Sequence, residues 1–147
     1  MYTHLLVATD GSKLSDRAVA QAIELAQVLN AKLTVFYASP DYPMPVYAEG
    51  VAYEPVSKRD YAKAAKEEGR KILDRVVTKA EAAGIECATA HAIAAAPWEA
   101  ILAAAKKAKC DVIVMASHGR RGLSALLLGS ETVKVLTHGK LPVLVVR

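Results

Sequence analysis

Short apolar runs alternate with stretches of helical period along the whole chain. The run His4-Leu5-Leu6-Val7-Ala8-Thr9 closes on Asp10-Gly11-Ser12, which predicts a buried strand running into a turn. Ser12 or Ser15 can cap the next segment, where Val19, Ala22, Ile23, Ala26 and Leu29 fall on one helical face. Residues 33–38, LTVFYA, predict a second strand by their β-branched and aromatic content. Residues 39–57 carry Pro40, Pro43, Pro45 and Pro55 among Tyr42, Tyr47 and Tyr53. They predict a loop, long for a compact domain, that is open to three readings: a lid, a partner surface or an irregular connection.

From Lys58 the period is helical again. Ile72, Leu73, Val76 and Ala80 share a face, and Gly84 stands where a C-terminal cap belongs. Residues 85–93 alternate weakly and predict a strand. Pro97 suits the first turn of a helix whose inward positions are Trp98, Ile101, Leu102 and Ala105. Residues 111–116, DVIVMA, are the clearest buried strand of the chain. A short helix over residues 130–138, Gly139 after it and a last strand, Val143–Val146, complete the pattern.

The predicted order is therefore β-α-β-α-β-α-β-α-β, in one domain over residues 1–147. Apolar strands separated by helices imply an α/β fold, a doubly wound open parallel five-stranded sheet with helices on both faces. In such sheets ligands sit beyond the carboxyl ends of the strands, where the strand order reverses. If the first and fourth strands are neighbours, Asp10-Gly11-Ser12 and the stretch after Ala116 face each other across one crevice.

Composition narrows the class. Hydrophobic residues make up 53% of the 147 and charged residues 23%, values of an ordinary globular domain that exclude disorder and collagen-like structure. The net charge of +4, from 19 basic against 15 acidic residues, is mixed in sign along residues 58–81. A nucleic-acid footprint needs clustered charge, so no nucleic-acid partner is expected. Cys87 and Cys110 have neither metal-ligand spacing nor the density of a disulfide framework, and both read as buried thiols. There is no signal-peptide pattern and no run of membrane-spanning length. The expectation is a cytoplasmic protein with no membrane partner.

Candidate chemistry concentrates in residues 117–133, SHGRRGLSALLLGSETV. A Walker A loop would need a lysine before Ser130, and a dinucleotide fingerprint would need three close glycines after the first strand. Both are absent. What remains is Gly119, nine residues, then Gly129-Ser130 opening a helix. Glycines let a backbone approach an anion or adopt positive φ, and a helix start offers N–H groups and partial positive charge. Ser130 could cap that helix or bond a phosphate oxygen. His118 reads as a turn residue bonded to backbone in preference to a catalytic base, because no nucleophile or carboxylate partner is identifiable. Arg120 and Arg121 could be solvated or could contact phosphate. Asp10 could serve the turn or the crevice. His4, His91 and Trp98 read as structural, Leu126-Leu127-Leu128 as the anchor of the loop to the core, and Gly122 as a turn.

These residues carry a resemblance. The opening strand ending in Asp-Gly-Ser, the strand ending in Ser-His-Gly, the Leu-Leu-Leu-Gly-Ser turn and the closing Leu-Pro-Val-Leu-Val-Val resemble the universal stress protein family across nearly the whole chain. Its ATP-binding branch has the pattern Gly, two residues, Gly, nine residues, Gly, Ser or Thr. Gly119, Gly129 and Ser130 match it, and Ala116 replaces the first glycine. The resemblance implies a Rossmann-like fold of the adenine nucleotide alpha hydrolase type. It also implies a site in which Ala8, Thr9 and Asp10 lie by the ribose and phosphates, Ala38 offers its backbone to adenine, and Met115 and Ala116 pack nearby. The amides of Gly119, Gly129, Ser130 and Glu131 would hold the phosphates. Glu131 would act through its backbone alone.

The cofactor so implied is ATP, or ADP or another adenine nucleotide, with Mg2+ or Mn2+ carried by the nucleotide and no metal site of the protein's own. The implied assembly is a homodimer through Val143–Val146, an apolar edge otherwise exposed. The expected function is an adenine-nucleotide-binding stress-response or signalling module. The alternatives are a weak ATPase or a nucleotidyl or phosphoryl transferase in the same crevice, and a dimeric stress protein that binds no nucleotide. Phosphoryl transfer needs a positioned base and metal ligands, and none stands out, so no catalytic residue is assigned.

Overall fold

The computed structural model describes residues 1–43, 46–48, 50–53, 56–119 and 127–147, with the backbone alone for residues 46–48 and 51–53. In chain order the elements are β1 (His4–Ala8), α1 (Lys13–Leu29), β2 (Lys32–Ser39), β3 (Val46–Ala48), β4 (Val51–Tyr53), α2 (Lys58–Ala82), β5 (Cys87–Ile93), α3 (Pro97–Ala108), β6 (Val112–Ala116), α4 (Ser130–His138) and β7 (Val143–Val146). Five strands form one parallel sheet in the order β5-β2-β1-β6-β7. The chain winds outward from β1 through β2 to β5, then crosses to β6 on the other side. Parallel strands need such crossovers, and each crossover lays a helix on a face.

Strand alternation decides which face each side chain joins. Leu5 and Val7 pack with Val19, Ala22, Ile72, Leu73 and Val76 under α1 and α2. Leu6 points the other way, into a cluster with Phe36, Ile101, Ile113, Met115 and Val135 under α3 and α4. Both faces are closed, so the strands read as continuous apolar runs. Each fully buried Leu, Ile or Val contributes about 1.5–3 kcal/mol.

The helix ends follow local chemistry. Ser12 Oγ accepts from Ser15 N–H at 3.2 Å and Ser57 Oγ from Asp60 N–H at 3.1 Å, satisfying donors that the first turn leaves over. Pro97 opens α3. At the base of the sheet Asp111 accepts from Thr3 N–H, Thr3 Oγ1 and His4 N–H at 2.7, 2.8 and 3.2 Å, which ties the entry of β6 to that of β1.

Three expectations need correction. Residues 39–57 are not wholly loop: β2 runs on to Ser39, and β3 and β4 form an antiparallel hairpin around Gly50 at φ 78°. The base of this hairpin is tied down by tyrosine hydroxyls, since Tyr61 Oη donates to Pro40 O at 2.6 Å and Tyr42 Oη to Val56 O. Cys110 is buried, but Cys87 is half-buried, because it sits on edge strand β5. Burial pushes both thiols up to about 11. Leu127 and Leu128 are 73% and 37% exposed and do not anchor the loop; Leu126 and Gly122 lie outside the described residues. Among the described residues no helix is long and apolar enough to cross a membrane.

Candidate functional site

The strand order reverses at β1, flanked by β2 and β6. The β1–β2 ladder ends at Ala8↔Phe36 with Thr9 N–H donating to Phe36 O at 2.9 Å, and the β1–β6 ladder ends at Val7↔Val114. Along a parallel strand alternate residues turn their N–H and C=O to opposite neighbours. Ala38, two beyond Phe36, and Ala116, two beyond Val114, therefore turn their N–H groups toward β1 at a level where β1 has already ended. Both face the gap between the strands.

Two turns close around that gap. After β1, Asp10 Oδ1 accepts from Ser12 N–H at 2.9 Å, Thr9 Oγ1 accepts from Gly11 N–H at 3.1 Å, and Gly11 takes φ 75°. Asp10 thus serves the turn and also borders the crevice. After β6 the chain passes through Ser117, His118 and Gly119. His118 Nδ1 lies 3.1 Å from Ser117 Oγ, a partner on a side chain where a backbone bond was expected. A Cβ on Gly119 would stand 2.5 Å from Asp10 Oδ2. Gly119 has no positive φ, and what a side chain there would meet is the Asp10 carboxylate.

The return to α4 is bolted to the end of β6. Gly129 N–H donates to Ser117 O at 2.7 Å, and Thr132 Oγ1 donates to Ala116 O and Ser117 O, both at 3.1 Å. Gly129 is the N-cap with φ −63°, and no side chain caps α4. Three expectations change with this geometry. The N–H of Gly129 is spent inside the turn, so it is no phosphate donor. Ser130 is the first helical residue and not the cap. Gly129 is glycine for space, since a Cβ would sit 3.0 Å from His118 Cα. The N–H groups of Ser130, Glu131 and Thr132 belong to the first turn and have no helical acceptor.

Glu131 was expected to act through its backbone alone. Its carboxylate has a separate task, accepting from Trp98 N–H at 2.8 Å and pairing with Lys134 Nζ at 3.5 Å. The N-cap of α3, Ala96, has no side chain able to do this, so a carboxylate on α4 caps α3. Trp98 lies against His138 with ring centroids 4.7 Å apart and planes tilted by 30°, adding to the α3–α4 contact.

A cavity of about 760 Å3 occupies the crevice, within the range of small-molecule sites. The structure places Ala8, Thr9, Asp10, Ala38, Met115, Ala116, Gly119, Gly129, Ser130 and Glu131 all along its wall. Arg120 and Arg121 lie outside the described residues. Sequence reasoning missed Phe36 and Ile101 on the apolar floor, Pro40 and Asp41 at the rim, and Ala94, Ala95 and Pro97 on the β5–α3 turn. The rule that pointed to the turns after β1 and β6 applies equally to β5, and its alanines were the available signal. Ala116 does not have positive φ. Its methyl belongs to the α1-side cluster with Val114 and Val146, whereas Met115 belongs to the opposite one.

Comparison with known proteins supplies the family. Over its full length the chain is 35% identical to universal stress protein MJ0531 of Methanocaldococcus jannaschii, covering 83% of that protein. It is 34% identical to universal stress protein YxiE of Bacillus subtilis, with full coverage of both. Among solved structures it is similar to a universal stress protein in complex with cAMP, with a TM-score of 0.73, 29% identity, and coverage of 99% of this chain and 97% of that one. The Universal stress protein family matches residues 1–147. This chain belongs to that family.

Proposed function

We propose that the crevice binds an adenine nucleotide and that the protein works as a nucleotide-responsive stress or signalling module. The observation that carries this reading is the cavity itself, whose lining combines the apolar side chains of Phe36, Ile101 and Met115 with the first turn of α4, which no side chain caps. An apolar slot beside a polar strand edge suits a purine, and a helix start suits a phosphate. Ala38 would meet the base through its backbone, Asp10 the ribose, and the amides of Gly119, Ser130 and Glu131 the phosphate. Gly129 shapes the turn, and Ala8, Thr9 and Ala116 border the ligand. Arg120 and Arg121 are proposed as further phosphate contacts. The similar universal stress protein in complex with cAMP supports an adenine ligand.

ATP, the ligand implied by the family motif, is the triphosphate member of this class. Among the described residues no group of three or more His, Cys, Asp or Glu side chains converges to hold a metal, so a divalent cation would arrive on the nucleotide. Binding is proposed without turnover. The outer edge of β7, with Leu144 38% exposed, and Val133 and Leu136 on α4, 45% and 43% exposed, make Val143–Val146 the proposed homodimer seam.

The test is to denature protein purified without added nucleotide, identify released small molecules by mass spectrometry, and measure melting with adenosine, AMP, cAMP, ATP and GTP. Release of an adenine compound, or a rise in melting temperature with adenine ligands and not with GTP, is the expected result. Neither release nor any adenine-dependent rise would refute the proposal.

A further inference from the structure

Two hydroxyls are buried at the turn that carries Asp10. Thr9 is 6% exposed and Ser15 2%, and their oxygens lie 3.0 Å apart. Ser15 shares the buried face of α1 with Ala18, Val19 and Ala22, where alanine would favour the helix and bury no polar group. Ser12 already caps that helix, so capping does not account for Ser15.

The directions of the bonds follow by elimination. Ser12 O is a carbonyl and only accepts, so the Ser15 proton lies on the 2.9 Å bond to it. A hydroxyl has one proton, so Thr9 is the donor to Ser15, and Thr9 Oγ1 in turn accepts from Gly11 N–H at 3.1 Å. The chain runs one way, from Gly11 N–H through Thr9 and Ser15 to Ser12 O. Both hydroxyl protons are spent inside it and neither is left for a ligand, although both residues border the cavity. What the chain holds is the backbone beside Asp10. Gly11, at φ 75°, is pinned by its N–H and Ser12 by its C=O. Ser12 N–H, between those two points, is thereby aimed at Asp10 Oδ1, 2.9 Å away.

We infer that the Thr9 and Ser15 hydroxyls form a positioning pair for the Asp10 carboxylate and, through it, for the ribose hydroxyls of the bound nucleotide. This rests on the nucleotide reading of the crevice, with Asp10 at the ribose. A carboxylate accepting from a sugar hydroxyl makes a charge-assisted bond that weakens as its angle departs from linear, so its strength depends on where the turn holds the oxygen. The base contact at Ala38 and the phosphate contacts at the first turn of α4 lie on other elements and are indifferent to the pair.

Thr9→Val keeps the side-chain shape and removes the hydroxyl, Thr9→Ser restores it, and Ser15→Ala removes the other member of the pair. Calorimetry compares AMP and ATP with their 2′,3′-dideoxy analogues, which lack the ribose hydroxyls, while melting curves confirm that each variant is folded. The wild type should bind the ribonucleotide about tenfold more tightly than its dideoxy analogue. Thr9→Val and Ser15→Ala should shrink that ratio to about twofold by weakening the ribonucleotide alone, and Thr9→Ser should recover it. In an Asp10→Ala background the ratio should already be lost, and adding Thr9→Val should change it no further. Equal weakening of both ligands, an unchanged ratio in the folded variants, or a further loss on top of Asp10→Ala would overturn the inference. If the wild type binds the two sugars equally, Asp10 does not meet the ribose and the inference falls while the crevice reading stands. If no adenine nucleotide binds, both fall together.

Discussion

A Cβ built on Gly119 would stand 2.5 Å from Asp10 Oδ2, so a methyl group on the turn after β6 would have to push aside the carboxylate on the turn after β1. Asp10 cannot retreat without cost, because its other oxygen holds Ser12 N–H at 2.9 Å. Gly119→Ala should therefore displace the carboxylate from the crevice. Nucleotide affinity should fall by about tenfold, comparable to losing one charge-assisted hydrogen bond, with a stability loss near 1 kcal/mol. Calorimetry and urea unfolding measure the two separately. Unchanged affinity would mean that Asp10 does not touch the ligand.

Thr132 is the fastener of the same turn. It is buried, and its hydroxyl serves Ala116 O and Ser117 O at 3.1 Å each. Ser117 O has a second donor in Gly129 N–H, whereas the crevice-side carbonyl of Ala116 depends on Thr132. Thr132→Val keeps the shape and removes the donor, so it should cost about 1–3 kcal/mol, and Thr132→Ser should recover much of it. Equal stability of the valine variant by urea unfolding would show that the bond is dispensable.

These two contacts show what was legible in the sequence. The elements were readable because both faces of the sheet are covered and most helix ends carry a local signal: Ser12, Ser57, Gly84, Pro97 and Gly129 all stand at boundaries. The crevice was readable because topology alone locates it at the reversal around β1. What stayed hidden depends on partners distant in sequence. Gly119 is glycine because of Asp10, and Glu131 caps a helix 33 residues away, so neither reason is present in the local pattern. The β3–β4 hairpin escaped because its short strands lie among prolines and carry no sustained alternation.

His91 predicts an acid-side loss of stability. Burial, and secondarily the charge of Lys66, hold its pKa below the ordinary 6.5. Its Nε2 lies 2.7 Å from Ser39 Oγ, and its ring stacks on Tyr37 at 5.8 Å. A histidine with a lowered folded pKa binds fewer protons folded than unfolded. Its contribution is therefore intact above pH 6.5 and is lost as pH falls through that value toward the folded pKa. Stability measured by urea unfolding should decline through that window, and more steeply than in His91→Gln. Parallel profiles for the two proteins would assign the decline elsewhere.

The proposed dimer seam has its own test. Leu144 lies on edge strand β7, and Leu136 is exposed on neighbouring α4. If β7 of a second copy covers this edge, Leu144→Glu should place two like charges against a desolvated seam and shift the protein to monomer at micromolar concentration. Sedimentation velocity reads the change directly. A wild type that sediments as a monomer would dispose of the seam, and a variant that stays dimeric would relocate it.

The last question is the one methyl that separates this chain from the three-glycine motif. Ala116 lies at the end of β6, lacks positive φ, and directs its side chain into the α1-side cluster while its N–H faces the crevice. A glycine at this position is not needed for conformation, and the methyl packs among core residues. Ala116→Gly should therefore leave nucleotide affinity within about threefold, which is less than 1 kcal/mol. Stability should fall by roughly 0.5–1 kcal/mol, the entropic cost of glycine inside a strand. Calorimetry on the variant and the wild type settles it. A gain of affinity beyond tenfold would mean that the methyl does obstruct the ligand and that this chain has drifted from tight binding; the small change expected here would make Ala116 a neutral replacement within a working cradle.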